Sequence, residues 1–477
     1  MSDYTYPPLY CNLGREDARA VGVEQFADFL ESYGAELDLH SVPELAANRS
    51  GMSNAIRRYR RHPGELYKYT DLKAALTPEY GINIHRRLLT PNPYKAYRCG
   101  VAGMNAHTVY VVNDVIAPMA EPVSPAADHD CFYVGPISAV SQAWDNGTSM
   151  LILMFQKYMY RSGAFMHNDD PITWLNTMLR QDGIMVYVPD GMKLKRPVQI
   201  VNVNDSRTPM MSNRLLFVFL GHDAEADVIL CDHSVGDTSY LSTQQVNVFQ
   251  CYGSRLGLYG VEETSAQTTR FSNFSIHQEG GSRLDSNLLT LTCGLSRNTM
   301  WVRQVDDNVQ TSVSGAVIAD AQQHADNYIH IIHGRANCES EMYFKYVMGG
   351  ASRGAFTGIS YVDRNSQINS RQQHQSLVVS EKARVQSRPV LEIYADDVKC
   401  SHGSTVGKLD EAALFYMRQR GIPEQEARLL LQHAFVNDVL QRIPLEPLRE
   451  RISRLAERRF RGDAAHCDGC SIKDYCQ

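Results

Sequence analysis

Between residues 183 and 407 no part of the chain holds a helical period for several turns. The stretch is cut into short apolar or alternating pieces, among them 184–188, 198–203, 215–220, 228–230, 246–249, 288–291, 328–332, 342–347 and 377–379. Turn-forming groups such as Asp190-Gly191, Gly280-Gly281, Gly349-Gly350 and Asp363-Arg364-Asn365 recur every dozen residues or so, which predicts an all-β body. Asn, Ser, Thr, Gln and His stand between the aliphatic residues of these strands. A sandwich or barrel calls for Asn-Gly or Asp-Gly hairpins at many junctions, and the sequence offers few. A parallel β-helix, whose coils turn on short polar bends and accept stacked Ser, Thr and Asn, fits better. No clean fixed-period repeat is visible, so periodicity leaves the β-helix as the better of two options.

The flanks read differently. Residues 1–180 combine helical spacing, as at Val21, Val23, Phe26, Phe29 and Leu30, with proline-bearing connectors such as 117–125 and a short helix over 169–181. A mostly helical cap here would close one open end of a β-helix and protect its edge. From Asp410 helical spacing returns, with Leu414, Phe415 and Met417 on one segment and Ala427, Leu430, Leu431 and Ala434 on the next. Gly421 closes the first and Pro423 opens the second. An arginine-rich helix over 449–461 follows, its charges read as a solvated face. The predicted architecture is mainly β: a right-handed parallel β-helix core over 181–408, an N-terminal mixed or helical cap over 1–180, a C-terminal helical domain over 409–462 and a Cys-rich tail over 463–477.

Composition narrows the function classes. With 43% hydrophobic and 21% charged residues, a folded globular chain is expected rather than a disordered one. A formal net charge of −6 gives no general attraction to nucleic acid or to an anionic membrane. The longest apolar runs, 149–155 and 215–220, fall far short of the roughly 18 residues that a membrane span needs. No basic stretch followed by an apolar one opens the chain, so a cytoplasmic protein is expected. The eleven cysteines are an odd count, and Cys131, Cys231, Cys251, Cys293 and Cys338 lie singly in apolar or alternating stretches, as small buried hydrophobes do in a reducing compartment.

Two groups of residues could carry chemistry. Cys400 and His402 are two apart, so on a strand they point to the same side, as does Val398. Thiolate and imidazole together suit iron, an iron-sulfur cluster or zinc. Taken alone, a buried cysteine beside a hydrogen-bonded histidine is the commoner meaning of such a pair. In the tail, Cys467-x2-Cys470 offers two thiolates to one metal, and His466 or Cys476 would complete the set; exposed reducible thiols are the other reading. His330 and His333 are three apart, on opposite faces of a strand, and do not form a metal pair. His277 and His324 read as polar coil residues. The run 403–409 has three residues between its glycines instead of four and Leu409 where a phosphate loop needs Ser or Thr, so it is no nucleotide site.

The stretch 388–407 (RPVLEIYADDVKCSHGSTVG), continued by 409–422 (LDEAALFYMRQRGI), resembles the signature of the SufD family of the SUF iron-sulfur cluster assembly system. Residues 170–203 are similar to the segment that leads into the β-helix of SufB and SufD proteins. Residues 65–76 (ELYKYTDLKAAL) are similar to a family element E-WKYT-L, with Leu66-Tyr67 standing where Ala-Trp is usual. The resemblance covers about 55–460.

What it implies is a non-catalytic scaffold subunit that pairs through its β-helix with a SufB-like subunit. A SufC-like ATPase would dock on the C-terminal helices, about 410–442, and supply the ATP hydrolysis that opens the interface. A transient iron-sulfur cluster is the implied cargo, passed on to apoproteins. His402 is implied to serve the nascent cluster together with a SufB cysteine across the interface, and Cys400 to act as ligand or as buried support. His374 falls in a stretch that aligns with the SufB segment holding its cluster-linked cysteine, although a polar turn residue would look the same. A homodimer in isolation is compatible with this. The competing class is a pectin-lyase-like β-helix enzyme, typically secreted and lined by acidic clusters. The acidic pair here, Asp396-Asp397, lies inside the SufD-like signature.

Overall fold

The computed structural model describes Pro8–Leu9, parts of 65–142, and residues 170–462 apart from Asn365. Its body is a parallel β-solenoid of about seven turns. One sheet stacks Ile184–Val188, Met210–Leu220, Tyr240–Gln250, Thr268–Gln278, Leu295–Gln304, His324–His333, Arg353–Val362 and Arg384–Ile393. The other stacks Val198–Asp205, Glu225–Val235, Arg255–Glu263, Arg283–Thr292, Gln310–Ala319, Cys338–Met348, Ile368–Val378 and Val398–Gly407. The chain alternates between the sheets, and neighbours within this stack are parallel.

Hairpin dipeptides are scarce because the corners from the first sheet to the second turn on single left-handed residues: Gly191, Asp223, Gly253, Gly281, Asn308 and Asn337. Gly, Asn and Asp tolerate that conformation at little cost. At Gly253 a side chain is excluded twice, by φ of +69° and by Asp223 Oδ1, which would stand 2.1 Å from an added Cβ. The coil length also varies. Thr269 is in register with Leu295, 26 residues on, whereas Arg353 is in register with Arg384, 31 residues on. A repeat that drifts this far leaves no fixed period in the sequence.

The interior is built of columns, one residue per coil. Leu216, Val246, Phe274, Met300 and Ile329 form one on the first sheet. On the second, Leu230, Gly260, Leu288, Gly315 and Phe344 alternate large and small, so each side chain fills the space above a glycine. An added Cβ at Gly315 would sit 2.4 Å from the Phe344 ring. Near the strand ends, Arg214 and Arg270 hold Asp232 at 3.3 and 2.6 Å, and Arg270 also reaches Glu262 at 3.4 Å. Burial pushes Asp232 up, but Arg270 and Arg214 outweigh it and leave this carboxyl below its usual range.

Both outer faces are covered in part. Pro171–Leu179 is a short helix, capped by Asp170, which accepts from the main-chain N–H groups of Ile172 and Thr173. It sits on the first sheet, where the Asn176 amide donates to the Arg214 carbonyl at 3.0 Å. Glu424–Leu440 and Glu446–Phe460 cover the second sheet: Val439, Leu440, Ile443, Leu448 and Ile452 share one apolar cluster with Val261, Leu289, Leu291, Ile318 and Tyr343. Lys345 meets Asp438 at 2.5 Å and Arg442 meets Glu341 at 2.5 Å. The arginine-rich helix is not simply a solvated face, because Arg459 donates to the Leu291 carbonyl and to Gln323, and Arg451 lies 3.8 Å from Glu263. Upstream of the core, His107–Val112 pairs parallel with Val198–Asp205, and Tyr133–Pro136 pairs antiparallel with Ile184–Val188, so the leading region contributes strands as well as helices. No helix among the described residues is long and apolar enough to cross a membrane.

Candidate functional site

Toward its last coil the solenoid changes character. The column Leu256, Leu284, Thr311, Ser340, Ser370 ends in Cys400. Its neighbour runs Val313, Met342, Gln372 and ends in His402, and a third runs Gly315, Phe344, His374 and ends in Ser404. Cys400 and His402 therefore stand on the lumen side of the same strand. They differ in surroundings. Cys400 is half-buried against a small cluster of Val309, Cys338, Val362 and Ile368, whereas His402 is exposed. Burial pushes the Cys400 thiol up, and a hydrogen bond with the Ser370 main chain opposes this in part. A soft metal at this sulfur would have to displace a firmly held proton.

Both strands of the last coil are edges. Arg384–Ile393 pairs with Arg353–Val362, and Val398–Gly407 with Ile368–Val378; among the described residues nothing pairs with their far sides. The coil thus presents two rows of unpaired main-chain groups, with Cys400 and His402 between them.

Beneath the pair lies a chain of polar contacts. His333 Nδ1 is 2.9 Å from the Tyr361 carbonyl, which can only accept, so Nδ1 donates and Nε2 accepts from the Ser340 hydroxyl at 2.8 Å. Ser340 is 2.9 Å from Ser370, and Ser370 is 2.9 Å from Ser360. Burial lowers His333 to about 4, which keeps it neutral. His374 is also buried, in ring contact with Phe356 and Tyr346, its two nitrogens bonded to Ser387 at 2.8 Å and Ser376 at 3.2 Å. Burial pushes it down to about 3.

The other expected positions fall as follows. His330 faces outward with its ring 4.5 Å from Trp301, while His333 faces the lumen, so the two are separated by the sheet. His277 is a half-buried strand residue stacked on Phe249 at 4.5 Å. Residues 403–407 are strand, not a phosphate loop. Cys231, Cys251, Cys293 and Cys338 are buried free thiols. Cys131 and the tail residues His466, Cys467, Cys470 and Cys476 lie outside the described residues. Among the described residues no cluster of three or more His, Cys, Asp or Glu is placed to hold a metal ion.

Residues 65–76 act as a clamp on the solenoid's outer face. Tyr67 donates to Asp170 at 2.6 Å, Thr70 to Asp326 at 2.6 Å, and Arg297, paired with Asp326, donates to the Leu66 carbonyl. Glu65 pairs with Arg388, inside the 388–407 stretch. A second feature is the helix Glu411–Gln419, capped by Asp410, which leaves Phe415 62% and Tyr416 60% exposed, with Leu430 of the next helix also exposed. Sequence reasoning missed Ser340, Ser370 and Gln372. They are ordinary polar residues whose meaning depends on what stacks above them, and only the alternation of buried positions along 368–378 points to them.

Comparison with known proteins agrees with the geometry. A family model described as the SUF system FeS cluster assembly, SufBD core domain, matches residues 201–435, and one for the SufBD protein N-terminal region matches 22–200. The match begins upstream of residue 55, where the resemblance in the sequence was expected to begin. An iron-sulfur cluster assembly SufBD family protein of Synechocystis is 27% identical over 66% of this chain and 72% of its own. The iron-sulfur cluster assembly protein SufD of Bacillus subtilis is 25% identical over 65% of this chain and 71% of its own. SufD of Escherichia coli is 29% identical over 61% and 70% respectively. Solenoid, clamp, terminal pair and helical appendage thus occur in one chain that belongs to the SufBD family of SUF-system iron-sulfur cluster assembly proteins.

Proposed function

We propose that this chain is a SufD-type scaffold subunit, not itself an enzyme, that assembles iron-sulfur clusters with a SufB-like subunit and a SufC-like ATPase in the cytoplasm and delivers them to apoproteins. The observation that carries the reading is the last coil, unpaired on its far side among the described residues, with Cys400 and His402 at its mouth. Edge strands recruit a partner's strands through main-chain hydrogen bonds, and a second solenoid end meeting this one would enclose both side chains. Within that enclosure His402 serves the cluster, which is cargo. Cys400 stands ready as a further ligand, its raised thiol arguing for a supporting role until a metal displaces the proton. His374 supports the lumen wall, since both of its nitrogens are already bonded. The ATPase docks on the helices over 411–440, where Phe415, Tyr416 and Leu430 offer apolar surface.

Co-expression with SufB-like and SufC-like partners, followed by iron and sulfide analysis, tests the reading. His402→Ala is expected to lower cluster content strongly and Cys400→Ser less so. Equal content in wild type and His402→Ala would sink the role given to His402.

A further inference from the structure

At the leading end of the solenoid, far from the last coil, one nitrogen of a buried guanidinium is left over. Arg214 belongs to the strand Met210–Leu220. Its Nη1 donates to Asp232 at 3.3 Å, and its Nη2 to Asn204 at 2.6 Å and to Ser212 at 2.9 Å. Its Nε is buried and has no hydrogen-bond partner among the described residues. Asp114 Oδ1 stands 3.7 Å from this nitrogen, too far for an N–H···O bond, and each of the two side chains is 6% exposed.

Neither residue is free to close the gap. Asp114 sits in the turn that joins His107–Val112 to Val115–Ile116, where Asn113 and Asp114 both take positive φ, 51° and 65°. Its Oδ2 accepts the main-chain N–H of Asn213 at 2.6 Å, a bond that a swing toward Arg214 would break. Arg214 is tied to three other side chains. A cavity of about 20 Å³ borders both residues, walled on its apolar side by Val111, Ile116, Ile184 and Ile200. A water needs roughly 10–15 Å³ and at least two polar partners, and a polar contact that falls just beyond hydrogen-bond length is the usual place to find one. The charges select the ligand. A metal cation would meet the guanidinium and an anion the carboxylate, whereas a neutral molecule that accepts at one side and donates at the other suits both.

We propose that this cavity is a water site: one resident water accepts the N–H of Arg214 Nε and donates to Asp114 Oδ1, joining the leading hairpin to the ion pairs inside the solenoid. Asp232, the partner of Arg214, is also held by Arg270, so the chain of contacts runs from the hairpin turn into the lumen. The water is part of what closes the leading end.

The test uses the full chain, in a crystal structure that shows ordered water and in solution by ¹⁷O relaxation dispersion, which counts long-lived buried waters. In wild type a single density peak is expected within hydrogen-bond distance of both Arg214 Nε and Asp114 Oδ1. Val111→Leu adds a methylene at the wall. It should lower the count by one, speed hydrogen exchange of the 107–116 amides and drop the melting temperature by a few degrees, because the leucine cannot replace the water's bonds. A dry cavity predicts the reverse: no peak in wild type, an unchanged count in Val111→Leu and a raised melting temperature as a void is filled. That result would overturn the proposal, as would a wild-type structure in which Arg214 Nε bonds Asp114 directly. If Val111→Leu does not fold, the wild-type density decides alone.

Discussion

His333 and His374 are buried imidazoles and His277 a half-buried one, and burial, aided at His277 by Arg303, lowers His277, His333 and His374 from 6.5 to about 4, 4 and 3. Between these values and 6.5 the unfolded chain binds more protons than the folded one, so stability is full above pH 6.5 and falls as pH drops through the window. Each group contributes up to about 1.4 kcal/mol per pH unit. Urea unfolding should therefore show a marked loss of stability from pH 7 to pH 5. In His374→Gln that pH-dependent loss should shrink by roughly 2 kcal/mol, and an unchanged slope would mean the lumen around His374 is wet. The same-side placement of Cys400 and His402 was legible in the sequence because alternation along a strand is a property of the backbone. Their unequal burial was not, since it depends on Val362 and Ile368 of the coil below.

The clamp joins the leading region to the solenoid through a buried ion pair. Arg297 and Asp326 are nearly inaccessible, and the Arg297 guanidinium also lies 5.3 Å from the Tyr67 ring and 5.2 Å from that of Tyr328. Replacing Arg297 with Met leaves the Asp326 carboxylate buried without its counter-charge, and a loss of about 3–5 kcal/mol is expected in denaturant titration. The Arg297→Met, Asp326→Leu double variant should lose less than the two single variants together, as coupled partners do. The likeness of residues 65–76 to a known element was readable in the sequence. That Thr70 reaches Asp326 and Arg297 reaches the Leu66 carbonyl was not, because those contacts bridge more than two hundred residues.

At the scale of the described molecule, the C-terminal helices cover the second sheet, while among the described residues nothing pairs with the far side of the last coil. A chain ending at Gly407 should expose Leu289, Leu291, Ile318 and Tyr343 and aggregate or bind a hydrophobic dye, whereas the full chain should do neither. Phe415→Ser with Tyr416→Ser should leave the melting temperature within a few degrees, since both side chains are exposed, and, on the docking proposed above, should abolish capture of a SufC-like ATPase in a pull-down. The sequence by itself determined the all-β body, the return of helix after residue 409 and the shared side of Cys400 and His402, because strand alternation, turn chemistry and helix periodicity are local. Only the tertiary structure decided the stacking order. Each coil's length, drifting between 26 and 32 residues, sets the register of the next, and that register places Ser370 under Cys400 and Gln372 under His402.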